Sequence, residues 1–506
     1  MDISKVDEKC YVPDDTLSHG SILKTHKGVY TFGILAALGG CSVGYDTGAV
    51  SSIMTMGPFI DRFMGDASQQ PYRSGLLVAL MLLTATLGGL LSGNLCDAIS
   101  RKYTILLGTL TFALGCLFET IGYNFALMLV GRLFVGFGQG FLTNAIPLYH
   151  SEIAPPAIRG RLITLFSATC SIGIVVGYFI SFGTNYLDND WCWRAPFLIH
   201  LVLCVVISFA YILPFSPRWL IDKGRYDEAR QVIASLYQCE LTDEAVTEEF
   251  NVVLSEIQHE RAFGNRTYAE LFRGTNLRRT LFALFAGNGA AFTGTSGISY
   301  YSPQIMEQAG LNGTGLSLVA SGASNIVGLI FTMVALAYID RVGRKFIFAS
   351  GAFIMGATMY IVGALFQAYY ITMDDAGDIG LGNLHARNCV IAFIFIFQAA
   401  YAYSWGPVGY IYPAEILNQR TRAKGLALAY GLNWAISIFM TFVMPIFMSN
   451  TVYGGYYFFG ATCSVLFFGV FLMPETKGYT LEEIDRMFNP KVDMETTSSP
   501  LPKESP

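Results

Sequence analysis

The sequence predicts an all-α membrane protein of twelve transmembrane helices arranged in two six-helix bundles. Of its 506 residues, 53% are hydrophobic and only 14% are charged, against about 25% charged in soluble domains. Twelve apolar runs are long enough to cross a bilayer, and at ~20 residues each they use about 240 residues, leaving room for loops. Polar landmarks in the loops of the first half recur in the second. This excludes a soluble multidomain protein, a disordered chain and a secreted disulfide scaffold. A net charge of −5 offers no basic field to nucleic acid.

Residues 1–28 form a polar tail without an apolar core, so no cleavable signal peptide is expected and the first span directs insertion. Six spans follow within 29–214, at about 29–53, 74–95, 103–122, 125–148, 161–186 and 194–214. Residues 215–279 are rich in Glu, Arg, Lys and Gln, and Ala229, Val232, Ile233 and Leu236 keep helical apolar spacing. This segment reads as short cytosolic helices joining the halves. Six more spans fill 280–476, at about 280–308, 315–338, 346–371, 388–411, 423–448 and 452–473. The polar stretch 477–506 is expected to be a disordered cytosolic tail.

Loop charge sets the orientation. One set of short loops carries Arg101, Lys102, Arg159, Arg161, Arg341, Arg344, Lys345, Arg420, Arg422 and Lys424, whereas the alternate loops hold few basic residues. The positive-inside rule makes the first set cytosolic and, with an even span count, places both termini in the cytosol. Asn312-Gly-Thr314 is then a candidate glycosylation sequon on the outer side.

The halves repeat each other. Asp97-Ala-Ile-Ser-Arg-Lys102 follows span 2, and Asp340-Arg-Val-Gly-Arg-Lys345 follows span 8. Glu152 and Arg159 after span 4 match Glu415 and Arg422 after span 10, at the same separation of seven. Two matched landmarks in register argue for duplication, as in transporters built from structural repeats. Asp97, Arg101, Lys102, Glu152, Arg159, Asp340, Arg344, Glu415 and Arg422 are candidates for a cytosolic latch that breaks when the protein opens inward. The plainer alternative is that they only fix topology. Tyr300 and Tyr301, before Pro303 late in span 7, join the gating candidates.

Ionisable residues inside spans are expensive and mark function. Asp46 lies about seven residues from the outer end of span 1, and Arg132 about seven residues into span 4. At 1.5 Å per residue both sit ~10 Å below the outer surface, where a facing pair is the economical arrangement. Protonation of Asp46 from outside, releasing Arg132, is a candidate coupling step; a static ion pair is the alternative. Trp405, ahead of the Gly406-Pro407 breaker, and Trp434, beside Asn433, stand out among the aromatic residues because broken helices build midplane sites. A flat indole face also suits the apolar face of a sugar ring. Gly136 and Gly140 in span 4 allow close helix approach. Cys41, Cys116, Cys170, Cys204 and Cys463 sit inside apolar runs and read as packing residues. No metal spacing, cofactor motif or hydrolytic triad is present, so neither metal, cofactor nor enzyme activity is expected.

These features resemble the sugar porter branch of the major facilitator superfamily, in the style of its fungal members, from about Gly33 to Asp485. The matching motifs are Gly44-Tyr-Asp-Thr47, Asp97…Arg101-Lys102, Gly131-Arg132, Pro147…Glu152…Arg159-Gly160, Ser216-Pro-Arg-Trp-Leu220, Tyr300-Tyr301, Asp340…Arg344-Lys345, Trp405-Gly-Pro407, Glu415…Arg422 and Pro474-Glu-Thr-Lys-Gly478. The resemblance implies the major facilitator fold, alternating access and a site at the membrane midplane. It also implies proton coupling through Asp46 and Arg132. It places Ser167, Ala290, Ala291 and Ser296 where hexose-binding members carry longer amides, and it places Trp405, Asn433 and Trp434 as expected. Phe215 replaces a usual glutamate.

The pocket is therefore expected to be wide and poor in donors, with weak glucose recognition. The leading expectation is a proton-coupled symporter of a sugar or sugar-like solute at the plasma membrane, working as a monomer, with the solute, protons and the bilayer as its partners. A porter of a non-sugar metabolite (a quinate-like acid, a polyol or a secondary metabolite) is the runner-up. A non-transporting nutrient sensor is third, and the short stretch after Thr476 counts against it.

Overall fold

The computed structural model describes residues 27–479 except 67–68, 156–157, 209–211, 262–266, 312–313, 373–378, 419 and 452, together with Ile484, Met487 and Phe488. Residues 1–26 of the expected N-terminal tail, most of 480–506, and Asn312 and Gly313 of the sequon lie outside the described residues. Within the expected disordered C-terminal tail, Ile484 is buried and the Phe488 ring packs 6.5 Å from that of Phe282, a correction for this stretch. The first six spans are single helices: α1 Lys27–Ile53, α2 Gln70–Ile99, α3 Arg101–Ile121, α4 Phe125–Ile153, α5 Arg159–Thr184 and α6 Trp191–Ser208. Each follows an apolar run. Asn124 starts α4 by accepting a 2.8 Å hydrogen bond from the Leu127 amide, which satisfies one of the orphan donors of the first turn.

The connecting segment holds α7 Pro217–Asp222, α8 Tyr226–Tyr237, α9 Glu244–Arg261 and a 3₁₀ turn at Tyr268–Phe272. Its helices bury a small core of their own, with Trp219, Leu220, Ala229, Ile233, Val246 and Phe250 among its members. This follows from the apolar spacing of α8.

Span 7 is broken into α10 Gly274–Phe292, α11 Thr295–Tyr300 and α12 Ser302–Gln308. The first break needs Gly294, which has φ +85° and packs where a Cβ would meet the Phe459 ring; only glycine adopts that conformation without strain. The second break falls at Tyr301, just before Pro303. Span 8 is α13 Thr314–Tyr338 and span 9 is α14 Arg344–Tyr369. A short antiparallel hairpin, β1 Tyr370–Thr372 with β2 Ile379–Leu381, follows span 9. Span 10 is split at Ser404 into α15 Leu384–Tyr403 and α16 Trp405–Ile416, and α17 Arg422–Asn450 and α18 Gly454–Val470 complete the set. Nine spans among the described residues, the split span 10 included, are long and apolar enough to cross a membrane; α10–α12, α17 and α18 supply the other three.

Within the first half α1 packs on α5, and α4 on α2 and α3; within the second, α14 packs on α15 and α18. The halves meet along α2–α17 and α5–α13. The α2–α4 contact is close because Gly136 and Gly140 lie against the backbone of α2 at Met81 and Ala85, where any side chain would collide. In an apolar solvent such van der Waals packing replaces the hydrophobic drive that holds soluble cores together.

Candidate functional site: a central cavity and a buried charge cluster

A cavity of about 180 Å³ lies between the halves, walled by residues from α1, α4, α5, α11, α13, α15, α16 and α17. Its volume is below the ~300–1,000 Å³ of sites for drug-sized ligands, so it fits a small solute. Thr47, Gln139, Ser167, Ser171, Thr295, Ser296, Asn325, Thr332 and Gln398 supply polar groups, and Tyr300, Tyr401, Tyr410 and Trp434 supply aromatic surface. Ser167 Oγ, Gln139 Oε1 and Trp434 Nε1 are buried without a protein hydrogen-bond partner. Such groups are costly unless a ligand or water engages them, at ~1–3 kcal/mol each. Ser296 donates a 3.3 Å hydrogen bond to Ser437.

The expected sugar-site residues divide here. Ser167, Ser296 and Trp434 line the cavity; Ala290, Ala291, Trp405 and Asn433 are absent from its wall. Trp405 is fully buried, its ring centroid 4.5 Å from that of Phe348 and its Nε1 donating to the Phe348 carbonyl at 3.1 Å. The indole lies against Gly289, which has no side chain to displace it. This corrects the expectation that Trp405 stacks on the solute: it holds the split of span 10 against α10 and α14. Asn433 turns its amide to the Gly287 carbonyl at 2.7 Å, tying α17 to α10. Ala290 and Ala291 lie on α10, away from the cavity wall. The expected shortage of donors is also corrected, because Gln139, Asn325 and Gln398 bring three amides from other helices. Polar residues one helical turn apart in spans 4 and 8, Gln139 with Thr143 and Ser321 with Asn325, were the available signal; Gln398 stands alone in its apolar run.

Asp46 and Arg132 form a bidentate pair, Nη1–Oδ1 at 2.7 Å and Nη2–Oδ2 at 3.2 Å. Both are about 1% exposed. Thr47, the next residue, opens onto the cavity, so the pair stands directly behind its wall. Arg132 also donates to Glu119 Oε1 at 3.1 Å and lies 3.4 Å from the Leu77 carbonyl. Glu119 was passed over in the sequence because it sits near the end of span 3, where an acid reads as wetted. Lying two residues from the end of α3, it does not share the sequence depth of Asp46 and Arg132, so no depth match marked it.

At the opposite end the latch candidates form two matching triads. Arg101 bonds Glu152 at 2.8 Å and lies 3.4 Å from Asp97. Arg344 bonds Glu415 at 2.9 Å and lies 3.3 Å from Asp340. Each triad ties spans within one half. Arg161 crosses between halves, with Nε 3.4 Å from Asp340 and its backbone amide donating to the same carboxylate at 3.1 Å. These charges are mostly buried. Burial pushes the Asp340 carboxyl up to about 6, opposed by Arg344, reinforced by Glu415 and opposed again by Arg161. Arg159 and Arg422 are buried close by, the latter with Nη2 3.5 Å from the Leu417 carbonyl. Lys102 holds its ammonium 4.9 Å from the Phe215 ring centroid, so the residue replacing the usual glutamate offers an aromatic face instead of a carboxylate. Tyr300 lines the cavity, and Tyr301 sits at the break between α11 and α12.

Two repeated halves around one central cavity, with charge clusters at either end, define a multi-pass membrane transporter of the major facilitator superfamily. The chain belongs to the sugar (and other) transporter family, whose model matches residues 32–488. It is 30% identical to a Kluyveromyces lactis protein named high-affinity glucose transporter, over 94% of this chain and 88% of that one. It is 29% identical to hexose transporter HXT10 of Saccharomyces cerevisiae, over 91% of this chain and 85% of that one. The proton:xylose symporter XylE bound to 6-bromo-6-deoxy-D-glucose superposes with a TM-score of 0.80 at 22% identity, covering 92% of this chain and 100% of that one.

Proposed function

We propose that the protein is a proton-coupled symporter of a sugar or sugar-like solute at the plasma membrane, with the Arg101 and Arg344 triads on the cytosolic side. The observation that carries this is the bidentate Asp46–Arg132 pair buried directly behind the wall of a polar, aromatic cavity. A carboxylate that must pair in a dry bundle gives up its partner when it is protonated, and α1 then moves free of α4. Because Thr47 is in the cavity wall, that movement is felt by the solute. Gln139, Asn325 and Gln398 suit a polyhydroxyl solute, since sites that read hydroxyls by hydrogen bonds reject analogues lacking them. Trp434 and Tyr401 offer ring faces for its apolar side. The family relation and the glucose and hexose transport of the named relatives support the sugar class.

The test is uptake of a labelled panel of hexoses, pentoses, polyols and quinate in transport-null cells, with and without a protonophore. Accumulation of a sugar, collapsing when the proton gradient is removed, is expected. Uptake confined to quinate or polyols, or indifferent to the protonophore, would overturn the corresponding part of this reading.

A further inference from the structure

Arg132 serves two carboxylates. Asp46 on α1 takes both guanidinium nitrogens, and Glu119 on α3 takes Nη1 from the other side at 3.1 Å, with Oε2 left buried and unpartnered. All three side chains are at most 2% exposed. With both acids ionised, the group carries one net negative charge in a dry bundle. One proton makes it neutral.

We propose that Glu119 is a positioning residue of the coupling site, the anion to which Arg132 turns when Asp46 is protonated; this rests on the proton-coupled reading above. The geometry needs little motion, since Nη1 is already shared. When a proton from outside neutralises Asp46, the guanidinium keeps a full partner in Glu119, and the cluster passes from one net negative charge to none. Without Glu119 the same step would leave Arg132 buried and unpaired, the arrangement that low-dielectric interiors penalise most. Glu119 thus keeps Arg132 paired through the release of Asp46, and holding Arg132 on α3 fixes which helix parts from α4.

The other titratable groups facing Glu119 are His200 and Cys204 on α6 and Cys116 on its own helix; Tyr300 on α11 faces Asp46 and Arg132. The side-chain nitrogen or sulfur atoms of Cys116, His200 and Cys204 lie within 4.8 Å of one another, so the imidazole sits beside both thiols. The imidazole is therefore the rival acceptor of the proton, and the test includes it.

The experiment measures the external pH midpoint of proton-driven accumulation in the full-length protein, normalised to surface expression. Glu119→Gln is expected to move the midpoint acidward by about one pH unit or more, a tenfold rise in the proton activity required. Glu119→Asp, which keeps the charge, is expected to hold the midpoint near that of the natural protein. A Glu119→Gln midpoint equal to the natural one overturns the proposal, as does an aspartate variant that shifts as far as the glutamine. A midpoint that moves in His200→Gln and not in Glu119→Gln also overturns it and assigns the role to the imidazole. Asp46→Asn separates the two levels: continued proton-driven accumulation in that variant removes the coupling reading itself, whatever Glu119 does.

Discussion

At Trp434 the indole lines the cavity with its Nε1 buried and unpaired, so its loss removes both a ring face and a donor from the solute. Trp434→Ala is expected to weaken solute binding by ~1–3 kcal/mol, about fivefold to 150-fold in affinity, read by competition with labelled substrate. Trp405→Ala acts differently. Its ring is packed against Phe348 and Gly289, so the variant is expected to lose ~3–5 kcal/mol of stability, read as a lowered melting temperature in detergent. Any affinity loss would follow from misplacement of α16. Asn325→Ala and Gln398→Ala should each weaken binding by ~1–2 kcal/mol while leaving the melting temperature close to unchanged. The sequence made the two tryptophans look alike because both stand beside breakers or amides in successive spans. Which face of a helix points inward depends on where the break rotates it, and that was set by Gly289 and Ser404 rather than by the tryptophans. Asp46 and Arg132 were legible because a buried charge has few places to go.

The ion-pair elements behave as units. Arg344 holds Glu415 at 2.9 Å, and Glu415 also accepts from Thr476 Oγ1 at 2.6 Å. Arg344→Ala leaves that carboxylate buried without its cation, at a cost of ~3–5 kcal/mol to the closed arrangement. Cysteine labelling from the cytosolic side, at positions lining the cavity, is expected to rise in this variant and in Glu152→Gln; unchanged labelling in both would leave the triads as topology signals. Asp340 adds a pH dependence. Its carboxyl, raised to about 6 in the closed arrangement by burial first, binds a proton more tightly there than when solvated. The closed form is therefore favoured in acid, and that advantage is lost as pH rises from the ordinary aspartate range through about 6. Asp340→Asn should flatten labelling against cytosolic pH over that window. The triads were visible in the sequence as repeated spacings; the crossing from Arg161 to Asp340 was not, because it joins two loops that no periodicity relates.

Over the whole molecule, two repeated halves enclose one cavity and meet along α2–α17 and α5–α13. On the proposed reading, rocking of one half on the other would expose the cavity to alternate sides while each half keeps its packing, as repeat construction allows. The span count was readable from the sequence because apolar length is a local property. The cavity wall was not, since it is assembled from single residues on eight helices whose rotations the sequence leaves open. The central claim is that proton entry at Asp46 drives solute accumulation, and one measurement reaches it directly: solute accumulation against a gradient by Asp46→Asn in proteoliposomes with an imposed pH difference. The amide keeps the shape of the carboxylate and cannot cycle a proton. The expected result is equilibration without accumulation at normal levels of folded protein. Accumulation equal to that of the natural protein, with an unchanged dependence on the pH difference, would contradict the account.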